Sequence, residues 1–120
     1  MVVHKKIAGN HAEQQACDFL QARGMKLIER NYRANYGEID LIMQDGNDIV
    51  FVEVRSRTHD HFGSAIESIN SKKQQKILQT AELFLQKKNW LDNKNCRFDV
   101  VGVNAGHIEW IEDAFTADIL

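Results

Sequence analysis

The residues of this sequence with chemistry to offer lie in two short runs, G-E-I-D-L-I (37–42) and F-V-E-V-R (51–55). Between the runs, Asp45-Gly46-Asn47-Asp48 supplies a tight turn, since Gly and Asn tolerate positive φ. Ile39, Leu41 and Met43 alternate with Glu38, Asp40 and Ile42 on one side of the turn. On the other side, Val50, Val52 and Val54 alternate with Phe51, Glu53 and Arg55. A period of two in apolar residues predicts a hairpin. Centring it on Gly46 and Asn47 sets Asp40 opposite Glu53, Ile42 opposite Phe51 and Glu38 opposite Arg55. The valines, Ile39, Leu41 and Met43 then share an apolar face, and the acids, Arg55, Ile42 and Phe51 share the other. Arg55 can neutralise Glu38. Asp40 and Glu53 are left as directly opposed like charges, which destabilises a strand pair. A divalent cation between them reverses that sign, and hard cations such as Mg²⁺ bind through one or two carboxylates and keep several waters. The same acids also fit a solvated sheet face with no function. Phe51 and Ile42 among them argue for a face that is partly covered.

The elements around this hairpin must position it. Residues 10–23 read as a helix, with Asn10 as N-cap and an apolar stripe through Ala12, Ala16, Phe19 and Leu20. Glu13 has two readings, as the capping-box partner of Asn10 or as a third acid near a metal. Residues 25–33 read as a strand that turns through Ala34-Asn35-Tyr36-Gly37 into the hairpin. Residues 56–70 form a polar loop containing His59, Asp60 and His61, which are either solvated or a metal or proton-transfer group. A second helix is expected over 71–88, capped by Ser71 with Gln74 at N3 and with Ile77, Leu78, Ala81, Phe84 and Leu85 on its apolar face. Lys72, Lys73, Gln74, Gln75 and Lys76 crowd its first turns, as an anion site or a solvated helix end. Trp90 and Leu91 are expected to pack at its far end. Residues 97–103 and 107–112 read as two further strands joined at Asn104-Ala105-Gly106, with Trp110 in the core.

The order is α-β-β-β-α-β-β, which implies an α/β protein with a mixed sheet flanked by helices. At 120 residues, 43% apolar and 27% charged, residues 1–120 are expected to form a single domain. No apolar run approaches the roughly 18 residues of a membrane helix, and the N-terminus lacks the apolar region of a signal peptide. Cys17 and Cys96 are read as free, buried thiols and the protein as cytoplasmic, with no membrane partner. The net charge is −2, but all 15 Lys and Arg residues lie between Lys5 and Arg97, and the segment after Arg97 carries only acids. A basic surface with an acidic end is compatible with phosphate binding.

Helix, then Asp, then Glu-x-Arg on the next strand resembles the PD-(D/E)XK nuclease superfamily, whose fold is called restriction-endonuclease-like. More closely, the chain resembles the YraN-like family, uncharacterised bacterial proteins expected to be endonucleases similar to Holliday junction resolvases. The resemblance covers nearly the whole chain through Gly9 and Glu13, Asn31-Tyr32-Arg33, the 37–42 run, Phe51-Val52-Glu53-Val54, Phe62-Gly63, Lys73-Gln74 and residues 97–101. It implies that Asp40 and Glu53 hold Mg²⁺ or Mn²⁺, joined by the Val54 carbonyl, with Glu13 completing the site through water. Arg55 stands where the superfamily has lysine. Arginine stabilises charge but does not give up its proton in proteins. Either the metal ion alone activates the attacking water, or Lys73 takes the lysine's role, or the site binds without cutting. The implied function is a metal-dependent endonuclease acting on phosphodiester bonds in DNA, including branched DNA. Glu13, Asp40, Glu53 and Arg55 would be its catalytic residues. Arg33, Arg57, Lys73, Gln74 and Lys76 would contact the substrate, and a homodimer joined through a C-terminal edge strand would serve two cuts. The alternatives are a nucleic-acid-binding module that has lost hydrolysis, and a scaffold whose acids are structural.

Overall fold

A computed structural model describes residues 2–57 and 65–116 of the chain, with side chains over 11–56 and 67–116. The elements are α1 (Val2–Ala22), β1 (Lys26–Ala34), β2 (Gly37–Asp45), β3 (Asp48–Arg57), a 3-10 turn (Ala65–Ser68), α2 (Ser71–Lys87), β4 (Cys96–Asn104) and β5 (His107–Phe115). This is the expected α-β-β-β-α-β-β order. The five strands lie in sequence order across one sheet, antiparallel except where β3 and β4 run parallel across the α2 connection. Among the described residues, no helix is long and apolar enough to cross a membrane.

Helices cover both faces of the sheet. On one face Ala12, Ala16, Cys17 and Leu20 of α1 pack on Leu41, Met43, Val50, Val52, Val54, Val101 and Val103. On the other, Ile77, Leu78, Ala81, Phe84 and Leu85 of α2 pack on Ile42, Ile49, Phe51, Phe98 and Val100. Every residue from Ile49 to Val54 is therefore buried, as expected of a strand enclosed on both sides. The hairpin has the register read from its turn, with Asp45 opposite Asp48, Ile42 opposite Phe51 and Leu41 opposite Val52.

Several local expectations are corrected. Helix α1 begins at Val2, not near residue 10, so Asn10 lies inside the helix and Glu13 is not its capping partner. The cap of α2 is Asn70, not Ser71. Asn70 has extended backbone (φ −75°, ψ 173°), and its side chain accepts from the Lys73 N–H at 2.9 Å. Gln74 falls one position beyond N3 and donates its side-chain amide to the Ile69 carbonyl at 3.0 Å. Cys17 is buried and free, whereas Cys96 is free but exposed at the start of β4. Trp90 packs edge-on against Phe84 at 6.0 Å, but Leu91 is exposed. Trp110 is a packing residue, edge-on to Phe19 at 6.0 Å. The loop residues His59, Asp60, His61, Phe62 and Gly63 lie outside the described residues.

The most consequential correction concerns β2. Ile39 was expected on the face of Leu41 and Met43, but it joins the opposite cluster under α2. Residues two apart in a regular strand share a face, so the strand must turn over between them. The turnover falls at Asp40. Pairing with β1 skips the position where Asp40 would meet Asn31, and pairing with β3 ends at Leu41–Val52. Asn31 has φ 53°, a left-handed conformation that Asn adopts more readily than most residues.

Candidate functional site

The break at Asp40 lets its carboxylate enter the ladder. The Val54 N–H donates to Asp40 Oδ2 at 2.8 Å, so a side-chain oxygen bonds the amide of the neighbouring strand. Asp40 is thereby tied down on β3 beside Glu53. Around it the fold gathers Glu13 from α1 and Glu38 from β2: one oxygen from each of Glu13, Glu38 and Asp40 lies within 4.8 Å of the others. The Asn31 amide nitrogen, turned toward these acids, donates to Glu13 Oε1 at 3.1 Å and Glu38 Oε1 at 3.2 Å. The Glu13 carboxyl is pushed up by burial first and by the Asp40 charge second.

Glu53 is 6% exposed, and its Oε1 is buried with no hydrogen-bond partner. Burial, followed by the charge of Asp40 and a hydrogen bond between the two carboxyl groups, lifts its pKa well above the ordinary glutamate value. Only Arg55 among its neighbours pulls appreciably the other way, with Nη1 3.7 Å from Glu53 Oε2. The carboxyl groups of Asp40 and Glu53 thus act on each other, although the two residues are not a pair in the ladder, which ends at Leu41–Val52. The expected Glu38–Arg55 pairing is not formed, because Arg33 Nε reaches Glu38 Oε2 at 2.8 Å instead. Arg55 is oriented by a third element: its Nε donates to Ser68 Oγ at 3.0 Å in the 3-10 turn, and its Nη1 to the Val54 carbonyl at 3.4 Å.

Glu53 and Arg55 open into a cleft of about 180 Å³ lined also by Gly37, Glu38, Lys73, Lys76 and Ile77. Its lining combines the acids Glu38 and Glu53 with Arg55 and with Lys73 and Lys76 from the first turns of α2. Gly37 has φ 154°, and a Cβ there would lie 3.8 Å from Lys76 Cβ and Thr80 Oγ1, so the glycine lets the β1–β2 turn approach α2.

The structure therefore joins Asp40, Glu53 and Arg55 as expected, brings Glu13 to Asp40, and places Lys73 and Lys76 in the cleft with Glu53. Arg33 is exposed but already paired with Glu38. Gln74 is held by the backbone ahead of its helix. The side chain of Arg57 is outside the described residues. Two participants were missed, Glu38 as a member of the acidic cluster and Asn31 as its bridge. Asn31 in a strand was itself a signal, since Asn is rare in strand interiors and common at left-handed positions.

The cluster of Glu13, Glu38 and Asp40 offers carboxylate oxygens suited to a hard divalent cation. Glu53, expected as a ligand beside Asp40, is not one of these three, and its buried Oε1 has no partner. Without a cation, Asp40, Glu13 and Glu38 crowd like charges together, Glu53 is driven toward its neutral form, and its buried oxygen stays unpaired, which is costly.

A model of the uncharacterised protein family UPF0102 matches residues 12–103. A UPF0102 protein of Nitrosococcus oceani is 48% identical over 114 residues, covering 92% of each chain. One of Saccharophagus degradans is 51% identical over 108 residues, covering 90% of this chain and 92% of its own. One of Hahella chejuensis is 50% identical over 111 residues, covering 90% and 89%. Among solved structures, that of Pyrococcus furiosus SfsA in complex with Ca²⁺ has a TM-score of 0.37 and 14% identity, over 90% of this chain and 63% of that one. A likeness of that degree settles neither fold nor chemistry.

Proposed function

We propose that this chain, which belongs to the uncharacterised protein family UPF0102, is a metal-dependent endonuclease that hydrolyses phosphodiester bonds in DNA, including branched DNA. The observation that carries this reading is the cleft itself. Glu53, whose Oε1 is buried without a partner and whose carboxyl interacts with that of Asp40, lines the same small cleft as Arg55, Lys73 and Lys76. Acids suited to a cation and bases suited to a phosphate share one opening, which neither a solvated sheet face nor a structural ion pair requires.

Asp40 and Glu53 would hold Mg²⁺ or Mn²⁺, with Glu13 and Glu38 beside them. Such an ion, when bound, supplies Lewis acidity toward a phosphodiester and toward an attacking water. The protein's own groups do the rest. The Val54 amide fixes the Asp40 carboxylate, and Asn31 fixes Glu13 and Glu38, so the acids are preorganised. Arg55, held by Ser68, presents fixed positive charge where negative charge would build on the phosphate. Lys73 and Lys76 draw the backbone into the cleft. A guanidinium keeps its proton, so Lys73 or its neighbour Lys76 would have to take the role that the superfamily lysine has.

A second reading, a nucleic-acid-binding module that does not cut, is favoured by one observation. Arg55 stands at the position of the superfamily lysine and is anchored at both Nε and Nη1. Calorimetric titration with Mn²⁺ and Mg²⁺, in wild type and Asp40→Asn, tests both. Labelled four-way junction and linear duplex are then added to the same samples. Metal binding lost in Asp40→Asn, with cleavage by the wild type, is the expected outcome. Binding of metal and DNA without cleavage, persisting in Arg55→Lys, would favour the second reading. No metal binding at millimolar concentration would sink the enzymatic one.

A further inference from the structure

We infer that Tyr36 is a stacking platform for an unpaired nucleobase beside the phosphate in the cleft, so that the site selects DNA with an unstacked base over continuous duplex. This rests on the nucleic-acid reading of the cleft and adds the substrate feature that the cleft would read.

Among the described residues the exposed large apolar side chains are Tyr36, 49% exposed, and Leu91, 40% exposed. The other aromatic residues near the cleft and along α2 are used inside the protein. Tyr32 is buried edge-on to Phe84 at 5.1 Å, and Trp90 packs on the same ring. Tyr36 has no such role. Among the described residues its ring has no hydrogen bond, ring stacking or cation partner. It sits in the β1–β2 turn, one residue before Gly37, whose backbone lines the cleft and approaches Lys76 and Thr80 of α2. An exposed ring thus stands one residue from the lining of an opening that also carries Arg55, Lys73 and Lys76.

That combination matches single-stranded nucleic acid: cations track the backbone while an aromatic face receives a base, whatever its identity. The rings of a tyrosine and a base offer a flat contact at little cost in side-chain entropy. In a continuous duplex every base face is already covered, so the ring gains nothing. At a junction, flap or single strand a free face is available. Leu91 offers no comparable case. It borders a different depression, lined by Gln86, Asn89, Asp92 and Asn93, with an acid and no cation.

The test measures binding of a single strand carrying 2-aminopurine and of a matched duplex, with Ca²⁺ replacing Mg²⁺ or Mn²⁺, by anisotropy and by quenching of the 2-aminopurine. Wild type, Tyr36→Ala, Tyr36→Phe and Tyr36→Trp are compared. In wild type, quenching in the single strand is expected. Tyr36→Ala should weaken single-strand binding about tenfold, abolish the quenching and leave duplex binding unchanged. Phe and Trp should preserve both signals. Wild-type binding with no loss of affinity or quenching in Tyr36→Ala would overturn the stacking role and leave the proposed function standing. Self-association of wild type that disappears in Tyr36→Ala, with DNA binding intact, would instead assign the ring to a contact between copies. Failure of wild type to bind either oligonucleotide would overturn both readings together.

Discussion

Asp40 accepts the Val54 amide with one oxygen and repels Glu53 with its charge, and substitution separates these two contributions. Asp40→Asn keeps an acceptor for the amide and removes the charge, so in chelator it should be at least as stable as wild type. Asp40→Ala also removes the acceptor and should fall below Asp40→Asn by about 1–3 kcal/mol, the cost of an unsatisfied buried donor. Urea denaturation of the two variants gives the difference, and equal midpoints would mean that water satisfies the Val54 amide. Glu53 makes a pH prediction. Burial and Asp40 raise its pKa in the folded state, so its protonated form is favoured there. A raised pKa leaves stability intact below the ordinary value of 4.5 and erodes it as pH rises toward the folded value. Relative to Glu53→Gln, metal-free wild type should lose stability as pH rises above 4.5. Saturating Mn²⁺ should restore it. Parallel pH profiles for the two proteins would show that Glu53 is ionised without penalty.

At the scale of elements, β5 is held to β4 by a buried acid. Asp99, fully buried, accepts from Arg97, from Trp110 Nε1 at 3.0 Å and from the Asp113 N–H at 2.9 Å. Pairing of β4 with β5 is irregular between Phe98 and Val100, and Asp113 has φ 51°. Asp99 thus fills the gap that a bulge leaves in the ladder. Arg97 also reaches Asp45 at 3.1 Å, but that carboxylate is about half exposed. The two partners of one arginine should therefore differ sharply. Asp99→Ala should cost about 3–5 kcal/mol, because it strands buried donors. Asp45→Ala should cost about 0–1 kcal/mol. Denaturant midpoints of the two variants check this, and similar losses would show that burial does not control the pair. The same bulge, with exposed Glu109, Glu112 and Asp113, blunts the edge at β5. It is the sheet edge the sequence led us to expect, yet its shape and charge oppose pairing with a second copy.

Over the whole molecule, α2 carries lysines at both ends, but only those at its start line the cleft. Lys73 and Lys76 line the cleft at the start of the helix. At its other end, Lys88 lies over the Phe84 ring, 5.7 Å from its centre. If DNA enters through the cleft, only the first pair neutralises phosphates. The logarithm of the binding constant should fall linearly with the logarithm of salt concentration. Lys73→Gln and Lys76→Gln should each reduce that slope by about one, while Lys88→Gln leaves it unchanged. Anisotropy titrations across a salt series measure the slopes, and an equal effect of all three substitutions would place the DNA along the whole helix.

The sequence by itself determined the element order, the register of the central hairpin from Leu41–Val52 to its turn, and the apolar face of α2. Each follows from local periodicity or from a turn whose geometry sets what faces what. It placed the cap of α2 at Ser71, one residue late, because Asn70 and Ser71 are both good caps and the choice depends on which backbone is extended. It misplaced Ile39 because the alternation assumes an unbroken ladder, and the ladder breaks at Asp40 through a partner strand bearing a left-handed Asn31. That break also removed Glu38 from Arg55 and gave it to Arg33 and the acidic cluster. Only the tertiary structure brought Glu13 from one helix and Lys73 and Lys76 from the other to the same end of the sheet. Contacts between residues tens of positions apart are fixed by how helices pack on the two faces, and no local pattern carries that information.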